Sequence, residues 1–157
     1  MIKNEKIDVE RFSQLCRAHG LKVTPQRVAV YKALKKAKDH PCADSIHKQL
    51  LTDFPNISLD TVNRTLITFA RIQIIDVVEG QGDPRRFDPN LEEHHHFYCL
   101  SCNSIFDFHD PDLNHIQLPD DITRSFTITG KRLCLTGYCA RCRNHAPAGA
   151  VSAAAAG

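Results

Sequence analysis

The 157-residue chain is predicted to be an α+β protein, a winged helix-turn-helix followed by a small sheet-rich domain stapled by zinc. Three observations carry this prediction. Helical periodicity runs from Asp8 to Ile72 and gives way to a basic hairpin. Beyond residue 90 the pattern changes to short strands separated by turns. Two Cys-x-x-Cys pairs, Cys99/Cys102 and Cys139/Cys142, stand 36 residues apart. Each pair offers two sulfurs from one tight turn, so a tetrahedral four-thiolate Zn²⁺ site needs only one long-range closure.

In chain order, Val9, Phe12, Leu15 and Cys16 share one face of a helix over Asp8–His19, with Gly20 free to supply the terminating turn. Thr24-Pro25 starts a second helix, Thr as N-cap and Pro at the first helical position. It ends basic, at Lys35, Lys36 and Lys38, and His40-Pro41 breaks the pattern. A third helix is expected over Ala43–Phe54, stopped by Pro55.

Ser58 caps a fourth helix, Leu59–Ile72, whose core face is Leu59, Val62, Leu66, Phe69 and Ala70. At 100° per residue, Asp60, Thr61, Arg64, Thr68 and Arg71 gather on the opposite side. Ile74–Glu79, a Gly80–Pro84 turn and Arg85–Asp88 read as a hairpin with Arg85 and Arg86 on its return strand. Helices followed by such a hairpin form the winged helix pattern, with the Leu59–Ile72 helix in the DNA major groove. A polar face with two arginines is by itself only a solvated surface. Its place before a basic hairpin favours DNA contact.

Strands are expected at Phe97–Leu100, Ile105–Phe108, Ile122–Thr129 and Arg132–Tyr138, with a short helix near Pro111–Gln117. The expected boundaries are 1–88 for the DNA-binding domain and 89–145 for the metal-binding domain. Residues 146–157 form a low-complexity, Ala-rich tail read as disordered.

The net charge of +2 announces no nucleic acid, but it is uneven. Residues 1–83 hold 13 Lys+Arg against 10 Asp+Glu, whereas residues 84–157 hold 7 against 8. This supports a basic N-terminal partner surface. No apolar run reaches the roughly 18 residues of a membrane span, and the N-terminus lacks the apolar core of a secretory signal. Seven cysteines, four of them in Cys-x-x-Cys pairs, favour a reducing cytoplasm over a disulfide framework. Cys16, Cys42 and Cys134 read as small buried hydrophobes.

A second metal constellation lies beside the first cysteine pair. His94 and His96 point to one face of an extended strand and His95 to the other. Asp88, Asp107 and His40 are further candidate ligands. Imidazoles with carboxylates make a borderline-hard site suited to Fe²⁺ or Mn²⁺ as well as Zn²⁺. If His40 joins, the metal bridges the two domains and acts as a ligand-driven switch. The competing reading is an exposed histidine run and a helix-end histidine.

The motifs Thr24-Pro25-Gln26-Arg27, His40-Pro41, Thr61–Leu66, Arg86-Phe87-Asp88, His94–Cys102, Ile105–Phe108 and Gly137–Cys142 occur in this order across residues 8–143. Together they resemble the ferric uptake regulator family of metal-dependent repressors. The resemblance implies an N-terminal winged helix, a C-terminal α/β dimerisation domain, a homodimer and a double-stranded DNA operator. It implies structural zinc on Cys99, Cys102, Cys139 and Cys142, and a regulatory metal on His40, Asp88, His94, His96 and Asp107. Aspartate at both 88 and 107 resembles the peroxide-sensing branch, in which bound Fe²⁺ directs oxygen onto histidine ligands, here His40 and His94. Metal and DNA are then released, while Mn²⁺ represses without this chemistry. DNA contact is expected from Thr61, Asn63, Arg64, Thr68, Arg71 and Arg85. Asn63 stands where the family usually has tyrosine, so the operator is expected to differ. Asn114 and Lys131 fall where some iron sensors have ligands of an extra site.

The alternative within the class is an iron, manganese or zinc sensor with no oxidative step. A zinc hydrolase or deaminase is disfavoured, because four thiolates leave no open position and no His-x-Glu precedes a Pro-Cys-x-x-Cys. A zinc-stapled interaction module without DNA would lack a steep salt dependence of duplex binding. Neither a membrane nor a small organic substrate is expected as partner.

Overall fold

The computed structural model describes residues 2–78 and 84–147, without the side chains of residues 2–8 and 145. These residues form two compact units, one ending at Leu91 and the other beginning at Glu92. The expected tail lies outside the described residues from 148 onward, as does most of the hairpin turn (79–83).

The first unit carries α1 (Ile2–Ala18), α2 (Pro25–Lys36), α3 (Ala43–Leu50) and α4 (Leu59–Arg71), then β1 (Asp76–Val78) and β2 (Arg86–Asp88). Helix α2 starts as its sequence dictates, with the Thr24 hydroxyl accepting from the Arg27 N–H and Pro25 at the first position. Ser58 caps α4 in the same way through the Thr61 N–H at 3.1 Å. Helix α3 is shorter than its periodicity suggests. Pro55 disfavours helical backbone at Phe54, and the Phe54 N–H instead closes a turn onto the Leu50 carbonyl at 2.8 Å. The hairpin pairs antiparallel, with Asp76 opposite Asp88 and Val78 opposite Arg86. Arg85 lies just before its return strand rather than on it.

Three aromatic rings tie α1, α2 and α4 together. Phe12 stacks on Tyr31 at 4.3 Å and 17°, and meets Phe69 edge-on at 5.2 Å and 81°. Such offset and edge-to-face contacts add to the burial of the rings themselves. Val30, Leu34, Ile46, Val62, Leu66 and Phe87 complete a fully buried core. Leu59 does not join it. At the first position of α4 it is 43% exposed, so the expected core stripe begins at Val62.

The second unit holds β3 (His95–Cys99), β4 (Ile105–Phe108), α5 (Pro111–Asn114), α6 (Asp120–Ser125), β5 (Cys134–Gly137) and a 3₁₀ turn, Arg143–His145. The sheet order is β4-β3-β5, antiparallel on the β4 side and parallel on the β5 side. A parallel neighbour requires a crossover, which residues 109–133 supply.

That crossover corrects the sequence reading. The strand expected at Ile122–Thr129 is absent, and α6 occupies its first half. Asp120 and Asp121 sit in the first turn of α6, where the helix dipole favours acids, and Arg124 pairs with Asp120 at 2.9 Å one turn on. Of the three remaining cysteines, Cys16 is fully buried, which pushes its thiol pKa up, Cys42 is half-buried and Cys134 is exposed on β5.

Phe12→Ala is expected to destabilise the protein by about 3–5 kcal/mol, the cost of emptying a buried aromatic site, read from urea unfolding. A loss under about 1 kcal/mol would show that α1 is not part of the core.

Candidate metal centres and DNA interface

The two cysteine pairs meet at one end of β3. Asn103 adopts the left-handed conformation, φ +57°, that turns the chain tightly after Cys102. Its N–H returns to the Cys99 carbonyl at 2.9 Å, and its side chain accepts from the Tyr98 hydroxyl. The second pair repeats this shape, with the Cys142 and Arg143 N–H groups both on the Cys139 carbonyl at 2.8 Å. The β3–β5 register sets Cys99 opposite Gly137, and this delivers Cys139 to Cys99. The four sulfurs lie within 4.8 Å of one another, and Cys102 Sγ is 3.9 Å from Cys139 Sγ. Two thiolates bound tetrahedrally at about 2.3 Å from Zn²⁺ stand about 3.8 Å apart. The set fits zinc and leaves no open position.

Its electrostatics also suit a cation. Backbone N–H donors of Cys102 and Cys139 lower the Cys99 pKa to about 6, so this sulfur is largely thiolate at neutral pH. Ser104 lowers Cys102 through its hydroxyl and backbone. Cys142 goes the other way. The Ser101 side chain lowers it, but Cys139 and burial together drive it up to about 11.

The histidine and aspartate candidates fall into two sets. In the second unit, His94 Nε2 and His96 Nε2 are 2.9 Å apart and Asp107 Oδ1 is 3.8 and 3.5 Å from them. The pleat puts His94 and His96 on one face, and register places Asp107 directly opposite His96. The two imidazole nitrogens and the Asp107 carboxylate stand close enough together to ligate one metal ion. His94 Nδ1 bonds the Glu92 carbonyl at 2.6 Å, which leaves Nε2 as the metal-facing nitrogen. The histidines are buried rather than an exposed run. His95 takes no part, because its Nδ1 accepts from the Leu133 N–H on the other face.

In the first unit, His40 Nε2 lies 3.7 Å from Asp88 Oδ2, both side chains buried. Asp88 ends β2 and accepts from the Asn90 N–H at 2.7 Å. His40 has φ +50°, an uncommon conformation for a non-glycine residue, so its surroundings must hold it there. Arg86 does so. Its guanidinium donates from Nε to the His40 carbonyl and from Nη2 to the Asp39 carbonyl, and the Phe87 N–H bonds the Pro41 carbonyl at 3.1 Å. The motif containing Arg86 was legible in the sequence, but this role was not, because the partners lie 46 and 47 residues away.

On α4, Arg64 and Arg71 are exposed. Asp60 holds Arg64 Nε at 2.9 Å, leaving the terminal guanidinium nitrogens outward. Thr61 and Thr68 are engaged locally, Thr61 with the Ser58 hydroxyl and Thr68 with the Arg64 carbonyl, both at 2.8 Å. Asn63 is half-buried on the wall of a cavity of about 410 Å³ between the N-termini of α3 and α4 and the start of β2. Arg85 stands exposed at its other side.

This winged helix followed by a four-cysteine sheet has a match. The model of the ferric uptake regulator family fits residues 18–136. The chain belongs to that family. The peroxide-responsive repressor PerR of Staphylococcus aureus is 34% identical over 143 residues, covering 91% of this chain and 97% of that protein. Among solved structures, the Helicobacter pylori ferric uptake regulator Fur, described as having three functional metal binding sites, shares the fold at TM-score 0.73. Its identity is 24%, and the match covers 88% of this chain and 93% of that one. The Campylobacter jejuni peroxide stress regulator matches at TM-score 0.65 and 29% identity, covering 82% and 97%. The protein is therefore a metal-responsive transcriptional regulator of the Fur family, not an enzyme. Among the described residues no helix is long and apolar enough to cross a membrane.

Binding of Zn²⁺ to the metal-free four-cysteine set at neutral pH is expected to release fewer than four protons, because Cys99 is already largely ionised. Calorimetry in buffers of different ionisation enthalpy reads this number. Release of all four would contradict the depressed Cys99 pKa.

Proposed function

We propose that the chain is a homodimeric, DNA-binding repressor that senses hydrogen peroxide through a regulatory metal ligated by His40, Asp88, His94, His96 and Asp107. The observation that carries this reading is the buried His94/His96 pair with the Asp107 carboxylate opposite. Zinc on Cys99, Cys102, Cys139 and Cys142 serves as a permanent staple that joins β5 to β3.

Fe²⁺ at the regulatory site would supply the electrons that reduce peroxide and direct an oxygen atom onto an adjacent imidazole. The residues determine the rest. His94 is held by the Glu92 carbonyl and His40 by the Arg86-braced loop, so both rings are fixed where oxidation removes a ligand. Loss of one ligand weakens a set that spans the sequence from 40 to 107. Mn²⁺ on the same donors would sustain repression without this chemistry.

DNA contact is assigned to Thr61, Asn63, Arg64, Thr68, Arg71 and Arg85. A second copy of the chain is assigned to the apolar surface of the second unit, where Phe126 is 64% exposed and Phe106, Ile128 and Leu135 are also exposed. The reducing cytoplasm suits a site of four thiolates.

The deciding test is mass spectrometry of the Fe²⁺-loaded protein before and after sub-stoichiometric peroxide, with DNA binding followed in parallel. One added oxygen at His40 or His94, with loss of DNA, is expected. Unmodified histidines with binding that tracks free metal would leave a metal sensor without the oxidative step. Arg86→Lys, which cannot span two carbonyls with one ammonium, is expected to weaken Mn²⁺ binding about 10-fold, read by competition with a fluorescent chelator. Unchanged affinity would remove the braced loop from the metal site.

A further inference from the structure

Leu59 is an exposed leucine at the first position of the helix assigned to the major groove, and nothing in the core uses it. It lines the same 410 Å³ cavity as Asn63, one helical turn on, so the two side chains stand on one edge of α4. Among the described residues no hydrogen bond engages the Asn63 amide, and Arg85 lines the same cavity from the hairpin side. Two carboxylates also line the cavity and would repel DNA if uncompensated. Each is paired: Asp44 with Lys48 at 2.6 Å, Asp60 with Arg64 at 2.9 Å.

An apolar group and an unused amide together match one kind of base pair. Thymine alone carries a methyl group into the major groove, and adenine alone presents the N7 acceptor beside the N6 amino donor that an asparagine amide meets with two hydrogen bonds. We propose that Leu59 and Asn63 are specificity-determining residues that read A·T pairs in the operator, Leu59 on a thymine methyl and Asn63 on an adenine edge. This rests on the DNA-binding reading above and gives it a base preference. The N-terminal part of a recognition helix is the part that reaches base edges. Arg64, exposed and buttressed at Nε, and Arg85 then supply the sequence-independent attraction to phosphate.

The test uses the full-length, Mn²⁺-loaded protein. A duplex is first selected from random-sequence DNA. Each thymine of the selected site is then replaced in turn by deoxyuridine, which deletes only the methyl. Deoxyuridine at one position per half-site is expected to weaken the wild-type protein about 3- to 5-fold, the value of one buried methyl, and to leave Leu59→Ala unchanged. Replacing adenine by 7-deazaadenine at the same or a neighbouring pair is expected to weaken the wild type and not Asn63→Ala. Leu59 is exposed, so its truncation leaves the core intact, and a thermal melt of each variant checks this.

A wild type indifferent to every deoxyuridine and every 7-deazaadenine, with binding still abolished by Arg64→Ala, would overturn the inference while sparing the repressor reading. Failure to select any duplex would overturn both. Equal losses in wild type and variants at the sensitive positions would assign the methyl and the adenine to other side chains.

Discussion

The register of one strand carries the chemistry of the second unit. β3 lies between β4 and β5, and its two pairings are fixed independently, antiparallel on one side and parallel on the other. The antiparallel register sets Asp107 opposite His96, and the parallel register sets Gly137 opposite Cys99. A slip of one residue in either ladder would turn every side chain to the wrong face. The histidine set would then lose its carboxylate, or the first cysteine pair its second. Metal at the four thiolates would in turn lock the parallel register, since folding and metal binding share one free energy.

The first unit solves a related problem with a different interaction. His40 lies in a loop after α2, in a backbone conformation its residue type disfavours, and the brace comes from the hairpin. Arg86 and Phe87 bind the carbonyls of Asp39, His40 and Pro41, and Asp88 follows on the same strand. Three consecutive residues of β2 thus position one candidate ligand, seal the core and provide another. Arg85, next along, faces the cavity beside α4. Sensing and DNA contact are assigned to β2 and to the residue just before it, so a change at the metal has little distance to travel within this unit.

Much of this was legible in the residues alone, wherever the signal is local. The Thr24-Pro25 and Ser58 caps, the Leu66–Phe69 core stripe and the tight turns of both cysteine pairs each depend on neighbours a few positions away. The failures have physical reasons too. The run from Ile122 to Thr129 has strand propensity, but the acids before it favour a helix start, and α6 takes up its first half. Leu59 obeys the apolar period of α4, yet it sits at the helix end where no core element reaches it. Cys134 is apolar enough for burial and lies instead on an exposed edge strand.

The sequence by itself determined the donor types, their spacing within each turn and strand, and the order of helices and strands, because these follow from backbone period and side-chain chemistry. Only the tertiary structure decided which distant residues meet. It joined Cys139 to Cys99 through a parallel pairing, set Asp107 against His96, and put Arg86 on the His40 loop across 46 residues. It also left Leu59 bare beside Asn63. Such contacts depend on long-range closure and packing, which no local pattern encodes.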